Sequence, residues 1–143
     1  MLVLIVLFVA WLAFRGLGAA GILAFASWHN SAAYALAVLF VFTGSAHFNR
    51  MKSDLARMVP HPFPAMPMVY LTGVCEFLGA AGLVVPSIRR YAAIALIAML
   101  VCLLPANIKA SLEGLTLRGK SATPLWLRIP MQVLFIGLLW WVR

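Results

Sequence analysis

The chain carries three acidic residues against eleven basic ones, and one of the three, Glu76, lies near the middle of a run, 68–85, that is otherwise free of charge. A carboxylate in such a stretch sits in hydrocarbon, at a cost of about 2.5–3.5 kcal/mol or more, unless another protein group meets it. Groups able to meet it occur in the other apolar runs: Thr43, His47, Asn107, Arg128 and Gln132, with Arg15 in the leading segment. Thr43 and His47 are four residues apart, as are Arg128 and Gln132, the spacing that puts both members of a pair on one helix face. A carboxyl and an imidazole exchange protons, so Glu76 and His47 are the catalytic candidates. Arg15, Thr43, Asn107, Arg128 and Gln132 supply hydrogen bonds for the oxygens of a polar head group, and are the candidates for ligand binding. A quinone fits this set, having two carbonyl oxygens to bind and protons to take up on reduction. The plainer alternative is that Glu76 pairs with Arg15 or Arg128 and that the other groups are interhelical hydrogen bonds worth about 1 kcal/mol each.

Other chemistries find fewer residues. His29 falls toward the opposite end of the apolar runs and His61 in a loop, which leaves His47 and Glu76 short of a metal site and His47 alone for haem; neither metal nor haem is expected. Cys75 and Cys102 lie inside apolar runs with no CxxC, and read as small buried side chains. The chain holds no glycine-rich phosphate loop, HExxH or GxSxG.

The elements that must position these residues follow from composition. Hydrophobic residues make up 65% of the chain and charged ones 10%, with a mean hydropathy of +1.05, too little polar surface to cover a water-soluble globule. The net charge of +8 is distributed mostly between apolar runs, where Lys and Arg anchor to lipid head groups, so nucleic acid is not an expected partner. Met1 leads into apolar residues without a basic region, and the first segment is expected to be retained. Five apolar stretches can be drawn, at 1–27, 32–48, 68–86, 91–112 and 125–142, the first interrupted at Arg15. The expected fold is all-α: a single membrane domain, 1–143, in which a transmembrane four-helix bundle over 32–142 carries an extra N-terminal membrane segment, 1–27. That segment reads as one interrupted span with Arg15 at its midpoint.

Alternating crossings bring the candidate residues to one face. His47 and Asn107 then lie near that face, Arg128 a turn inside it, and Glu76 and Gln132 about two turns inside, roughly 10 Å by helical rise. Gly73, Gly79 and Ala80 share the Glu76 side of their helix, and small residues admit a neighbouring helix, which turns the acid inward. Pro105 deprives the Val101 carbonyl of its usual donor, a defect tolerated where protein supplies a replacement. In the connection 49–67, Pro60, Pro62, Pro64 and Pro67 favour an extended path. A lid at the interface is expected there, with Met58, Val59, Phe63 and Met66 toward lipid, a plain connector being the alternative. Arg50, Lys52, Arg57, Lys109, Arg118, Lys120 and Arg128 outnumber Arg89, Arg90 and Arg143 on the other side, which leans the proline connection toward the cytoplasm. Trp11, Trp28, Trp126, Trp140 and Trp141 fall mainly near the ends of stretches, as interfacial anchors do.

Several of these residues form a pattern. Gly44-Ser45-Ala46-His47-Phe48, Met58-Val59-Pro60, Tyr70-Leu71-Thr72-Gly73-Val74-Cys75-Glu76, Gly82-Leu83, Arg89-Arg90 and Leu104-Pro105-Ala106-Asn107 occur in that order, followed by Arg128, Pro130, Gln132 and Trp140-Trp141. Over 32–142 the chain resembles the DoxX and DoxX-like membrane proteins. The resemblance implies a four-helix transmembrane core with 1–27 as an added segment. Members of that family are named for a subunit of a thiosulfate:quinone oxidoreductase, others are linked to oxidative-stress complexes, and distant eukaryotic relatives assist receptor assembly. With no soluble redox domain and no paired thiols, this chain would need a partner. The expectation is a quinone- or lipid-binding subunit of a redox system in a bacterial cytoplasmic (inner) membrane, whose partners are membrane lipids, a quinone, and a redox subunit or a second copy. The alternatives are an assembly factor or structural partner without catalysis and, below it, a small transporter or proton conductor.

Overall fold

The computed structural model describes residues 2–117, 120–121 and 123–143. Arg118, counted above among the basic residues, lies outside the described residues. The apolar runs become helices α1 (Leu2–Ala19), α2 (Trp28–Ser45), α4 (Ala65–Val84), α5 (Arg89–Cys102), α6 (Leu104–Leu112) and α7 (Leu125–Val142), with the short α3 (Lys52–Met58) between α2 and α4. A two-stranded hairpin pairs Thr116 with Ser121 and Leu117 with Lys120 ahead of α7. Four helical segments are long and apolar enough to cross a membrane: 2–19, 65–84, 89–112, which joins α5 to α6, and 125–142. The fold is an all-α transmembrane bundle.

The leading segment corrects one expectation. α1 runs unbroken through Arg15-Gly16-Leu17-Gly18, so Arg15 lies in its last turns and not at the middle of an interrupted span. The chain then turns at Gly21, whose φ of 102° suits glycine, and passes through a 3-10 turn, Leu23–Phe25, into α2. Arg15 fastens this corner: its Nη1 donates to the carbonyls of Phe25 (3.0 Å) and Ala26 (2.7 Å), and its guanidinium lies over the Trp28 ring. Gly18 permits the corner, since a Cβ there would collide with the Phe25 carbonyl. Ser27 caps α2 by accepting from the Asn30 amide at 3.0 Å.

α2 takes the place of the stretch expected at 32–48, beginning and ending earlier, and it is the most enclosed helix. Ala32, Ala33, Ala35, Leu36 and Leu39 are almost inaccessible, between α1 on one side and α4 and α7 on the other. Its polar ends, Trp28-His29-Asn30 and Thr43-Gly44-Ser45, keep it outside the set of most apolar helices; protein, not lipid, surrounds much of it. Leu7 of α1, Ala80 and Leu83 of α4, Ala93 and Leu96 of α5, and Leu139 and Val142 of α7 complete the apolar core around it. Of the small residues expected to admit a neighbour, Gly79 seats Leu96, and Gly82, not among them, seats Ala92. Cys75 and Cys102 do not join that core. Both are unpaired and exposed on the outward sides of their helices, contrary to the buried positions expected for them.

The proline connection also differs from expectation. Its first part is the helix α3, because the prolines begin only at Pro60 and leave 52–58 free to coil. α3 lies on protein: Met58 is buried against Ala106 and Ala110 of α6, with Leu55 and Leu115 beside them, while Phe63 stays exposed. Lys109 of α6 donates from Nζ to the carbonyls of Arg57 and Val59, each at 3.0 Å, capping the C-terminus of α3. Arg57 pairs with Asp54 at 3.0 Å and donates to the Thr116 carbonyl at 2.8 Å, tying α3 to the hairpin.

Candidate functional site: a carboxyl and an imidazole between α2 and α4

Two polar groupings sit between the helices. The first is built where α2 and α4 cross. Glu76, on the inner side of α4, is 6% exposed and His47 9%, so the acid turns into the bundle as its small neighbours on α4 imply. Thr43 Oγ1 approaches Glu76 Oε2 at 2.5 Å and the carbonyls of Leu39 and Phe40 at 3.2 and 3.4 Å. A hydroxyl has one hydrogen to give, and the short contact to the carboxylate takes it. His47 follows α2 in the turn beyond Ser45 and keeps the side of the helix that Thr43 occupies. Its Nδ1 lies 2.7 Å from the Val69 carbonyl, which can only accept, so Nδ1 carries a hydrogen. That assignment leaves Nε2 facing Glu76 Oε1 at 3.6 Å. At that distance neither atom completes a hydrogen bond to the other, and a third polar group could be held between them.

The sequence permits this approach at two glycines. A Cβ on Gly73 would stand 2.6 Å from His47 Cβ and 2.7 Å from Phe48 Cε2, and one on Gly44 would stand 3.3 Å from Glu76 Cβ. Thr72 was not among the expected residues. Its Oγ1 donates to the Met68 or Val69 carbonyl, both at 2.9 Å, and turns an oxygen toward His47 Nδ1 at 3.1 Å. Its position four residues before Glu76 was the available signal, since that spacing shares a helix face.

The second grouping joins α6 to α7. Arg128 Nη1 donates to Asn107 Oδ1 at 3.0 Å, Asn107 Nδ2 to Gln132 Oε1 at 3.4 Å, and Gln132 Nε2 to the Leu100 carbonyl at 2.5 Å. This chain of donors ends at the break between α5 and α6. The N–H of Leu103 serves the Met99 and Val101 carbonyls there, and the outside donor from Gln132 falls on Leu100, one residue before the carbonyl expected to need it. Among the described residues no hydrogen bond or ion pair connects the two groupings, so the single constellation expected from the sequence is resolved into two.

Arg15 belongs to neither. It lies at the other end of the bundle with Trp28, Asn30, Arg89 and Trp141, where Arg89 donates to the Leu83 carbonyl and to Asn30 Oδ1 at 2.8 and 2.9 Å, and His29 donates to the Trp141 carbonyl at 2.8 Å. The expectation that Arg15 could reach Glu76 is corrected by the continuity of α1, which carries it away from the α2 C-terminus. Clefts open on the outside of the helices among the described residues. One, of about 360 Å³, lies among Phe14, Tyr34, Val41, Phe77, Ala81 and Val84; another, of about 540 Å³, lies outside the α5–α6 break among Val101, Leu104, Pro105, Ile108, Lys109 and Glu113. Neither is lined by Glu76 or His47.

A family model covers most of this architecture, matching residues 36–143. The chain belongs to the DUF8561 family, a domain of unknown function. The DUF8561 match takes in Thr43, His47, Thr72, Glu76, Asn107, Arg128 and Gln132, the side chains of both groupings, and leaves out α1 with Arg15. No curated protein and no solved structure matches the chain.

Proposed function

We propose that this chain is a subunit of a redox system in a bacterial inner membrane, which binds the polar head of a quinone or similar lipid-soluble ligand beside Glu76 and His47. The observation that carries the reading is the 3.6 Å gap between Glu76 Oε1 and His47 Nε2. It is too long for a hydrogen bond, so both atoms have capacity for a third polar group, while Thr43 and Val69 fix the far side of each residue. A ligand oxygen placed there accepts a hydrogen bond from the protonated member of the pair, and that proton is available when the ligand is reduced. The chain carries no redox centre of its own in this reading; a partner subunit supplies the electrons. The resemblance of 32–142 to DoxX-like proteins supports the same assignment.

The second grouping favours a different role for its members. Arg128, Asn107 and Gln132 hydrogen-bond one another and the Leu100 carbonyl, which favours a role in holding α6 and α7 to the broken helix over one in ligand contact. Mass spectrometry of lipids extracted from the purified protein tests the proposal. An isoprenoid quinone is expected with the wild type and not with Glu76→Gln, provided the variant elutes as a folded, monodisperse species. Absence of any quinone from the wild type, or equal retention by the variant, rejects it.

A further inference from the structure

The Glu76–His47 pair is enclosed, yet what encloses it on one side is not protein core. Phe48, after the end of α2, and Phe77, on α4, stack with ring centroids 5.6 Å apart and an interplanar angle of 25°. They are 45% and 36% exposed, so each ring has an outer face toward the acyl chains of a bilayer. Their inner edges lie on the two glycines of the site. Phe48 Cε2 lies 2.7 Å from where a Gly73 Cβ would stand, beside His47, and Phe77 Cε1 lies 3.4 Å from where a Gly44 Cβ would stand, beside Glu76 Oε2. Tyr70 continues the row with its ring 5.8 Å from Phe48, and Lys52 Nζ donates to its hydroxyl at 3.1 Å. A seam of rings therefore runs along the α2–α4 crossing from a lysine at the membrane face to the side of the buried acid.

We propose that the Glu76–His47 pair is reached sideways from the lipid, through the Phe48–Phe77 seam, and that its ligand is a flat-ringed amphiphile whose ring replaces or slides between these two. This deepens the reading of the pair as a ligand site and rests on it. The rings are the movable part. Both are partly exposed on the outward surface, whereas Thr43 and the Val69 carbonyl hold the other atoms of the pair. An aromatic ring offers a flat headgroup a stacking partner that an aliphatic wall would not, and Lys52 and Tyr70 lie where the more polar end of an amphiphile meets the interface.

Carbodiimide modification distinguishes lateral from aqueous access. The reagent adds to a protonated carboxyl: the carboxyl oxygen bonds to the central carbon and the proton passes to a nitrogen, so no further reactant is consumed. With three acids in the chain the adduct is mapped without ambiguity, and Asp54 and Glu113, in α3 and after α6, report reaction from water. In protein reconstituted into phosphatidylcholine vesicles, dicyclohexylcarbodiimide is expected to modify Glu76, and a water-soluble carbodiimide to modify Asp54 or Glu113 in preference to it. Phe48→Ala and Phe77→Ala are expected to speed modification of Glu76 by the lipophilic reagent about two- to tenfold, the worth of one aromatic contact. Leu78→Ala, on another outward face of α4, should leave the rate unchanged. Phe48→Leu and Phe77→Leu, which keep most of the apolar volume, give the same reading if the alanine variants fail to fold. Lateral access is overturned if Glu76 resists the lipophilic reagent, if the water-soluble reagent modifies it as fast, or if neither ring substitution changes the rate. Protection of Glu76 by a short-chain quinone supports both proposals. Unprotected modification that still depends on the two rings removes the quinone reading alone and leaves the lateral route standing.

Discussion

Glu76 is tolerable inside the bundle because two neighbours accept part of its cost. Thr43 gives it a hydrogen bond and His47 offers a charge or a proton, against a penalty of about 2.5–3.5 kcal/mol for an unaccompanied acid at mid-membrane. Thr43→Val keeps the shape of the side chain and removes the hydroxyl. It is expected to lower stability by about 1–2 kcal/mol, read from thermal unfolding in detergent, because the carboxylate loses its donor in a place without water. An unchanged unfolding temperature would mean that the acid is held elsewhere. Glu76, His47 and Thr43 could be picked out before any coordinates, since a lone acid in an apolar run must have partners and a spacing of four puts two of them on one face. The Val69 carbonyl could not, because backbone acceptors leave no mark in residue types. The position of Arg15 is hidden for another reason: the apolar run 1–27 reads as a single span, and only the turn at Gly21 shows that the helix ends just after the arginine.

The helices meet closely where glycine allows it, and the α2–α4 crossing depends on Gly73. Gly73→Ala places a methyl carbon 2.6 Å from His47 Cβ, so the helices or the imidazole must move. The expected cost is about 1–3 kcal/mol in unfolding, with loss of whatever ligand the pair binds; a variant as stable and as active as the wild type would contradict the packing described. At the α5–α6 break, Gln132→Leu removes the donor to the Leu100 carbonyl, and about 1–2 kcal/mol of destabilisation is expected by the same measurement. Lys109→Ala should leave global stability nearly intact but speed amide exchange over 52–58, since two carbonyls at the end of α3 lose their cap. Unaltered exchange there would show that Met58 and Leu55 suffice to hold the helix. A disturbance near Pro105 was legible because a missing N–H has a fixed consequence, but its place was not: Leu103 serves the Val101 carbonyl, and the outside donor reaches Leu100. The helix α3 was not, as the prolines of 60–67 drew the whole connection into an extended reading although 52–58 contains none.

The bundle as a whole separates its charges. With Arg15 assigned to the face of Arg89, Arg90 and Arg143, the opposite face holds Arg50, Lys52, Arg57, Lys109, Lys120 and Arg128 among the described residues, together with Asp54 and Glu113. Under the proposed inner-membrane reading, the excess of basic residues on the α3 side puts that side in the cytoplasm. In a protein with Cys75 and Cys102 replaced by alanine, Ser87→Cys is expected to react with a membrane-impermeant maleimide in intact bacterial cells and Ser53→Cys only after lysis; the reverse pattern would invert the topology. The all-α bundle was legible from hydropathy, whereas the division of its polar residues into two groupings was not, because shared depth says nothing of which helices touch. What remains central is that the acid inside this bundle is coupled to the imidazole beside it. A double-mutant cycle on unfolding free energy, with Glu76→Gln, His47→Gln and the pair together, measures that coupling directly. About 0.5–3 kcal/mol of interaction energy is the expected result, and additivity within about 0.3–0.5 kcal/mol would contradict it.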